Sequence, residues 1–380
     1  MLNKRNAVTV ISGLLMCIGA MVQAQNIDLK GRIVDAETNK PVEFANIGVV
    51  STYMGTASDF DGYYELSVNE SYANYKVQIS AVGYKVKEFT VDELHVLKGE
   101  AIKLFTQTYG LEEVDVKADS KRLYGILKTA ANVIGDSYKG SYGARVYMQQ
   151  SFKEQTSEAV IYYTDAQGYG IRSLAAAHSS RGFEVQELRR NYSPTPIEGG
   201  MLYANDVLAF DIVRQRGNVL DVAFVNDYSL ELADETVVGG DSVWVIRYKL
   251  NEPDVAKTGD AYCKEYKGLI FIRQNDYAVL RNELEFVSNG FFHAGRDAYR
   301  NEVGDALYKG HVVSDYRLTE DGKYALSKVV YSGDGVNGKR TIEWIVYDYE
   351  PYQKAAQRSY FSNREADKDF WSRFALPADR

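Results

Sequence analysis

Cysteine is almost missing from this chain: two residues in 380, one of them (Cys17) inside an apolar leader and the other, Cys263, alone in everything that follows. Once the leader is removed, no disulfide within the chain is available, so the fold has to stand on its own hydrophobic core. Histidine is nearly as scarce. His95, His178, His293 and His311 are widely separated and none opens an H-E-x-x-H run, so the linear ligand spacing of a zinc peptidase is not there. There is no G-x-S-x-G hydrolase elbow. No apolar run after the leader approaches the roughly 20 residues a membrane helix needs, and the mature chain is expected to have no transmembrane segment. The formal net charge is −8 with no basic patch, which makes nucleic acid a poor partner.

What is present begins with the leader. Lys4 and Arg5 precede an apolar run from Ala7 to Val22, and Val22-Gln23-Ala24 places small residues where a signal peptidase reads. Residues 1–24 are expected to be a signal peptide, with the chain secreted across the inner membrane to the periplasm or outer membrane. Met16 stands where a lipid-anchoring Cys17 would want a small residue, so a lipoprotein is not expected. Tyrosine is abundant, at 30 residues against 6 prolines. Its amphipathic ring suits the faces and edges of sheets. The plain reading is a β-rich protein, and the sharper one is an aromatic surface that meets glycan or another protein.

Strand signals are dense over residues 27–105. Asp28 to Val34 alternates before a turn closed by Pro41, and Glu43 to Val50 follows. Gly55 to Ser58 is a short strand, Asp59 to Gly62 a hairpin turn, and Tyr63 to Val68 leaves it. Tyr75 to Ala81 alternates cleanly, with Lys85 to Val91 and Ala101 to Phe105 completing seven short strands, the pattern of a β-sandwich. Gly31, Val34-Asp35, Pro41, Ala45-Asn46, Gly55-Thr56, Asp59, Asp61-Gly62, Tyr64 and Val82-Gly83-Tyr84 together resemble the carboxypeptidase-like regulatory domain. That resemblance implies a transthyretin-like seven-stranded sandwich, not itself an enzyme. Such domains accompany peptidases or stand at the front of outer-membrane nutrient receptors of the Bacteroidota. Asp59, Asp61 and Glu65 are candidate calcium ligands by spacing. Strands flank them where the calcium loop wants helices, and a turn reading prevails.

Residues 106–118 read as a linker strand built on Leu111 to Val116, similar to the segment that follows the sandwich in the large receptors. What comes next lacks the many strands of a receptor barrel, so no transport role follows. In residues 119–380, Lys121 to Ile134 is a helix by the spacing of Leu123, Ile126, Leu127, Ala130 and Ile134. Leu202 to Val213 is a short helix or irregular. Strands are expected at Gly143–Gln150, Glu158–Thr164, Asn218–Val225, Tyr228–Leu232, Ser242–Leu250, Leu269–Arg273, Tyr277–Val287, Tyr324–Tyr331 and Thr341–Tyr349. Short polar turns between them imply antiparallel pairing. The tail from Tyr352 reads as a helix docking on the sheet. Pieces such as Tyr266 to Ile272 with Tyr277-Ala278-Val279 resemble envelope proteins of the Bacteroidota that pair the same sandwich with a β-rich domain, and loosely the hairpins of lipoprotein-carrier half-barrels.

The remaining chemical candidates are weak by their own physics. Cys263 could pair with His293 or His311 as nucleophile and base, but a lone strand cysteine is more often a small core residue. Gly333-Asp-Gly335-Val-Asn-Gly338 matches a dinucleotide glycine pattern, yet a strand rather than a helix follows it, and the glycines read as a hairpin loop. Glu112/Glu113 and Glu283/Glu285 are paired carboxylates, a spacing any solvated strand supplies. The expectation is a mainly β protein: a seven-stranded sandwich over 27–105, then a curved antiparallel sheet or half-barrel with a packing helix over 119–380. It carries no catalytic, metal or cofactor residues. Its function is that of a non-enzymatic envelope module meeting envelope proteins or glycans. Glycan or lipid handling is the second reading and a peptidase the third.

Overall fold

The computed structural model describes residues 26–42, 45–50, 52, 54–58, 61–81, 84–106, 116–170, 180–192, 204–238, 241–289, 307–334, 338–355 and 366–376. The leader, Asp59, Glu112, Glu113, His178 and His293 lie outside these. The chain is mainly β and forms two compact units, the first within residues 26–104 and the second from Phe105 onward together with residues 52, 80, 81, 84 and 85.

The described residues of the first unit form seven strands in two sheets. One is ordered β4 (Tyr63–Asn69), β1 (Asn26–Asp35), β7 (Ala101–Leu104) and the other β3 (Gly55–Ala57), β2 (Asn46–Val49), β5 (Lys76–Ser80), β6 (Lys87–Thr90). Leu29, Ile33, Ile47, Val68, Val77, Ile79, Ile102 and Leu104 are buried, the alternation that period-2 burial demands. β7 runs parallel to β1, which needs a crossover rather than a hairpin. A short helix, Val91–Val96, lies on that crossover and shortens the expected strand Lys85–Val91. The strand stops at Thr90, which caps the helix through a capping box with Glu93.

The described residues of the second unit form one curved antiparallel sheet of ten strands. They are β8 (Tyr142–Phe152), β9 (Gln155–Asp165), β10 (Arg181–Arg190), β11 (Tyr228–Val238), β12 (Asp241–Leu250), β13 (Cys263–Arg273), β14 (Val279–Ser288), β15 (Tyr308–Leu318), β16 (Tyr324–Asp334) and β17 (Arg340–Pro351). Strands β11 to β17 form a meander in chain order, and β17 then pairs with β8, followed by β9 and β10. The edges are therefore β10 and β11. Each carries a register shift, between Val185 and Glu187 and between Leu232 and Asp234.

Among the described residues, helices pack on the inner face of this sheet. The helix Val116–Ser137 buries Leu123, Leu127, Ala130 and Ile134 in one cluster with the inner residues of the strands. The short helices Ala204–Leu208 and Ile212–Gln215, where Leu202 to Val213 is expected to be short helix or irregular, add Val207, Leu208 and Val213. Tyr124 donates from its hydroxyl to the Tyr228 carbonyl at 2.8 Å, tying the long helix to edge strand β11. Among the described residues no helix is long and apolar enough to cross a membrane.

Several expectations are corrected. Asn218–Val225 is not a strand but two short 3-10 turns, Asn218–Leu220 and Val225–Asp227. Val219 and Leu220 are both buried although adjacent, which a strand with one covered face cannot arrange, and Asn218 sits at φ 55°. The expected linker strand gives way at its end: Val116 opens the long helix, and 107–115 lie outside the described residues.

Two strands, β10 and β15, have no counterpart in the expected set. The bulge in β10 puts Phe183 and Val185 out of phase with Leu188, and β15 presents Gly310 and Ser314 to the core beside Val312 and Tyr316. Gly333 lies within β16 rather than in a loop.

The tyrosine and glycine contents are linked. Tyr64 stands opposite Gly31, Tyr248 opposite Gly268 and Phe286 opposite Gly310. In each pair the ring lies where a side chain on the glycine would be; a Cβ on Gly31 would come within 2.8 Å of the Tyr64 hydroxyl. Gly310→Val should drive a side chain into the buried Phe286 ring and destabilise the protein by about 1–3 kcal/mol. Gly140→Ala, whose added methyl meets nothing within 4 Å, should stay within about 0.5 kcal/mol. Urea midpoints of the two variants check this.

Candidate functional site

A cluster of buried polar and charged side chains lies on the inner face, where β9 ends. Tyr163 and Asp165 project inward from β9, and the chain then turns through Gln167 and Gly168, whose backbone N–H groups donate to Asp165 Oδ1 at 3.1 and 2.9 Å. Gly168 has φ 63° and packs on the backbone of Gly140, so a side chain is excluded there twice over. The turn delivers Tyr169, which is fully buried.

The second half of the cluster comes from the helix Ile212–Gln215. Asp211 caps it, accepting from the Arg214 backbone N–H at 3.1 Å. Its carboxylate also accepts from the hydroxyls of Tyr169 at 3.1 Å and Tyr316 at 2.9 Å. Arg214 is fully buried and grips Asp165 side-on, through Nε and through Nη2 to Oδ1 at 3.0 Å. Burial alone would raise the Asp165 carboxyl, but the bonds and charge of Arg214 outweigh it and hold the group below its ordinary value. Burial pushes Asp211 upward. Burial likewise raises Tyr169 and Tyr316, and the nearby Asp211 charge adds to both. The arrangement can hold charge in place and anchor the segment that fills the inner face. It sets no nucleophile beside a base.

The outer face has its own row of charge. Arg281 pairs with Asp315 at 2.5 Å and lies 3.6 Å from Glu283. Burial lifts Glu283 to about 7, Arg281 pulls it down, and Asp315 and Glu285 push it up. His311, 3% exposed, is driven down to about 3 by burial and then by Arg281. Further along this face Trp371, from the helix Lys368–Arg373, packs with Tyr147, Val160 and Ile345. Arg189 lies 4.5 Å over the Trp371 ring.

The candidates from sequence are not brought together. Cys263 is a buried inner-face residue whose thiol donates to the Glu265 carbonyl at 3.3 Å. Burial and then Asp260 push that thiol up to about 11, so it is protonated near neutral pH. His311 points to the opposite face. Glu283 and Glu285 share the outer face, but each faces a cation, Arg281 and Lys267. Glu65 pairs with Lys30, and the Asp61 carbonyl accepts from Arg32 at 2.8 Å. Among the described residues no three His, Cys, Asp or Glu side chains are grouped to hold a metal. Asp165, Asp211 and Arg214 do not stand out as a group in the sequence. The available signal is cap spacing, Asp-x-x-Gly at 165–168 and Asp-x-x-Arg at 211–214.

Asp165→Asn should leave Arg214 buried without its counter-charge and cost about 3–5 kcal/mol. Adding Arg214→Met should recover part of that loss, a coupling read from urea unfolding of the two single variants and the double. Glu283 binds its proton more tightly folded than unfolded. The native state therefore holds more protons between about pH 4.5 and 7, and stability falls as pH rises through that window. Glu283→Gln should shrink this fall by about 1–3 kcal/mol, measured as unfolding free energy at pH 4.5 and pH 7.5.

Residues 29–116 match the CarboxypepD_reg-like domain family. Over 89 residues the chain is 34% identical to TonB-dependent receptor P3 of Formosa agariphila, covering 23% of this chain and 9% of that protein. Over 82 residues it is 37% identical to TonB-dependent receptor SusC of Bacteroides thetaiotaomicron, covering 22% and 8%. The chain thus spans less than a tenth of the length of these relatives. Among solved structures, a LolA superfamily protein from Nitrosomonas europaea aligns with 61% of this chain and 94% of its own at 12% identity, with a TM-score of 0.29. What these comparisons establish is a CarboxypepD_reg-like domain at the front of the chain, similar to a segment of TonB-dependent receptors.

Proposed function

We propose that this is a non-enzymatic secreted protein of the bacterial envelope, located in the periplasm or at the outer membrane. In this reading the small sandwich is an interaction module and the ten-stranded sheet a binding or structural platform. The observation that carries it is the domain match over residues 29–116, a segment shared with the two receptors. The leader supports the same address. The inner face favours a platform over a lipid-enclosing carrier, because the long helix and the 204–227 segment pack into one cluster with the inner residues of the strands. Glycan stacking is not favoured by the tryptophans: Trp344 and Trp371 are buried and Trp244 is half-buried against the core.

Fractionation of cells carrying the tagged full chain tests the address. The protein should appear in the periplasmic or outer-membrane fraction, shortened by the leader. Recovery in the cytoplasm at full length would refute the proposal.

A further inference from the structure

Two arginines flank Asp165 where β9 and β10 pair at their ends, Arg181 opposite it by register and Arg214 bonded to it, and they carry more hydrogen-bond donors than the described residues there accept. Arg181 stands opposite Asp165 on edge strand β10 and is partly exposed. Its Nη2 donates to the Leu208 carbonyl at 3.1 Å, while Nε and Nη1 are buried and meet no acceptor among the described residues. Arg214 is fully buried. Its Nε and Nη2 serve Asp165, Nη2 also reaches Ser180 Oγ at 2.8 Å, and Nη1 meets no acceptor among the described residues.

The carboxylates nearby have little left to give. Asp165 already accepts from Gln167, Gly168, Ser180, Tyr163 and Arg214. Asp211 is taken by Tyr169, Tyr316 and the Arg214 backbone. Guanidinium stays charged in proteins, a buried donor without an acceptor is costly, and native structures keep few of them. The planar fork of arginine matches the oxygens of carboxylate and phosphate.

We propose that Arg181 and Arg214 form a receptor for a small oxyanion, the carboxylate or phosphate of a ligand, reached beside edge strand β10. This rests on the reading of the large unit as a binding platform, but not on the envelope address, which fractionation tests separately.

The test titrates the full chain with inorganic phosphate, acetate and octanoate, following tryptophan fluorescence. The Trp344 ring lies 5.8 Å from that of Tyr163. A saturable response is expected, weakened at least tenfold by Arg181→Met and also reduced by Arg181→Lys, which keeps the charge and loses the fork. Gln215 still donates to Leu208 in both variants, and circular dichroism checks that they fold. Arg247→Met, which removes an exposed partner of Glu231, should leave the midpoint unchanged. Octanoate binding tenfold tighter than acetate assigns an acyl ligand, and a smaller difference assigns a free anion. No saturable response to any probe, or one that Arg181→Met leaves intact, overturns the proposal.

Discussion

The bond between Arg214 and Asp165 is the constraint on which the large unit depends. It joins the short-helix segment that fills the inner face to the end of β9. A buried ion pair need not add net stability over an apolar contact. Its value here is positional. With Asp211 and its two tyrosine donors, it fixes one seating for a segment made of short helices and 3-10 turns, which have little intrinsic stability of their own.

Around that anchor the sheet is sorted by face. Inner positions are mostly apolar or tyrosine, and several tyrosine hydroxyls in this core bond to backbone, as Tyr138 does with Val279 and Tyr349 with Leu326, while that of Tyr228 meets no partner among the described residues. Outer positions alternate charge with apolar side chains. One row crosses all ten strands by register, from Glu231 and Arg247 through Glu283 and Glu343 to Glu158 and Arg189. Tyrosine can serve both faces because it is apolar along the ring and polar at its tip.

Much of the fold is legible in the sequence because period-2 alternation is a direct image of burial. The sandwich strands, the long helix and the strands around Ser242–Leu250 and Thr341–Tyr349 follow from it. Where alternation fails, legibility fails with it. A bulge hides β10, small polar core residues hide β15, and Asn218–Val225 mimics a strand with apolar residues that belong to turns. The charge cluster is legible only as two separate cap spacings, not as a group. Asp165, Arg181, Asp211 and Arg214 are scattered through a stretch of ordinary composition, and only the folded chain brings them together.

The pairing of β17 with β8 has a consequence for the order of assembly. Tyr142 meets Pro351 across this seam, so the strand made last in the sheet joins the strands made first to the meander made after them. The sheet is not continuous until that strand arrives. Closure over such a long separation is slow compared with hairpin formation, so loss of the final strand would leave two independent sheet fragments, each with a newly opened edge.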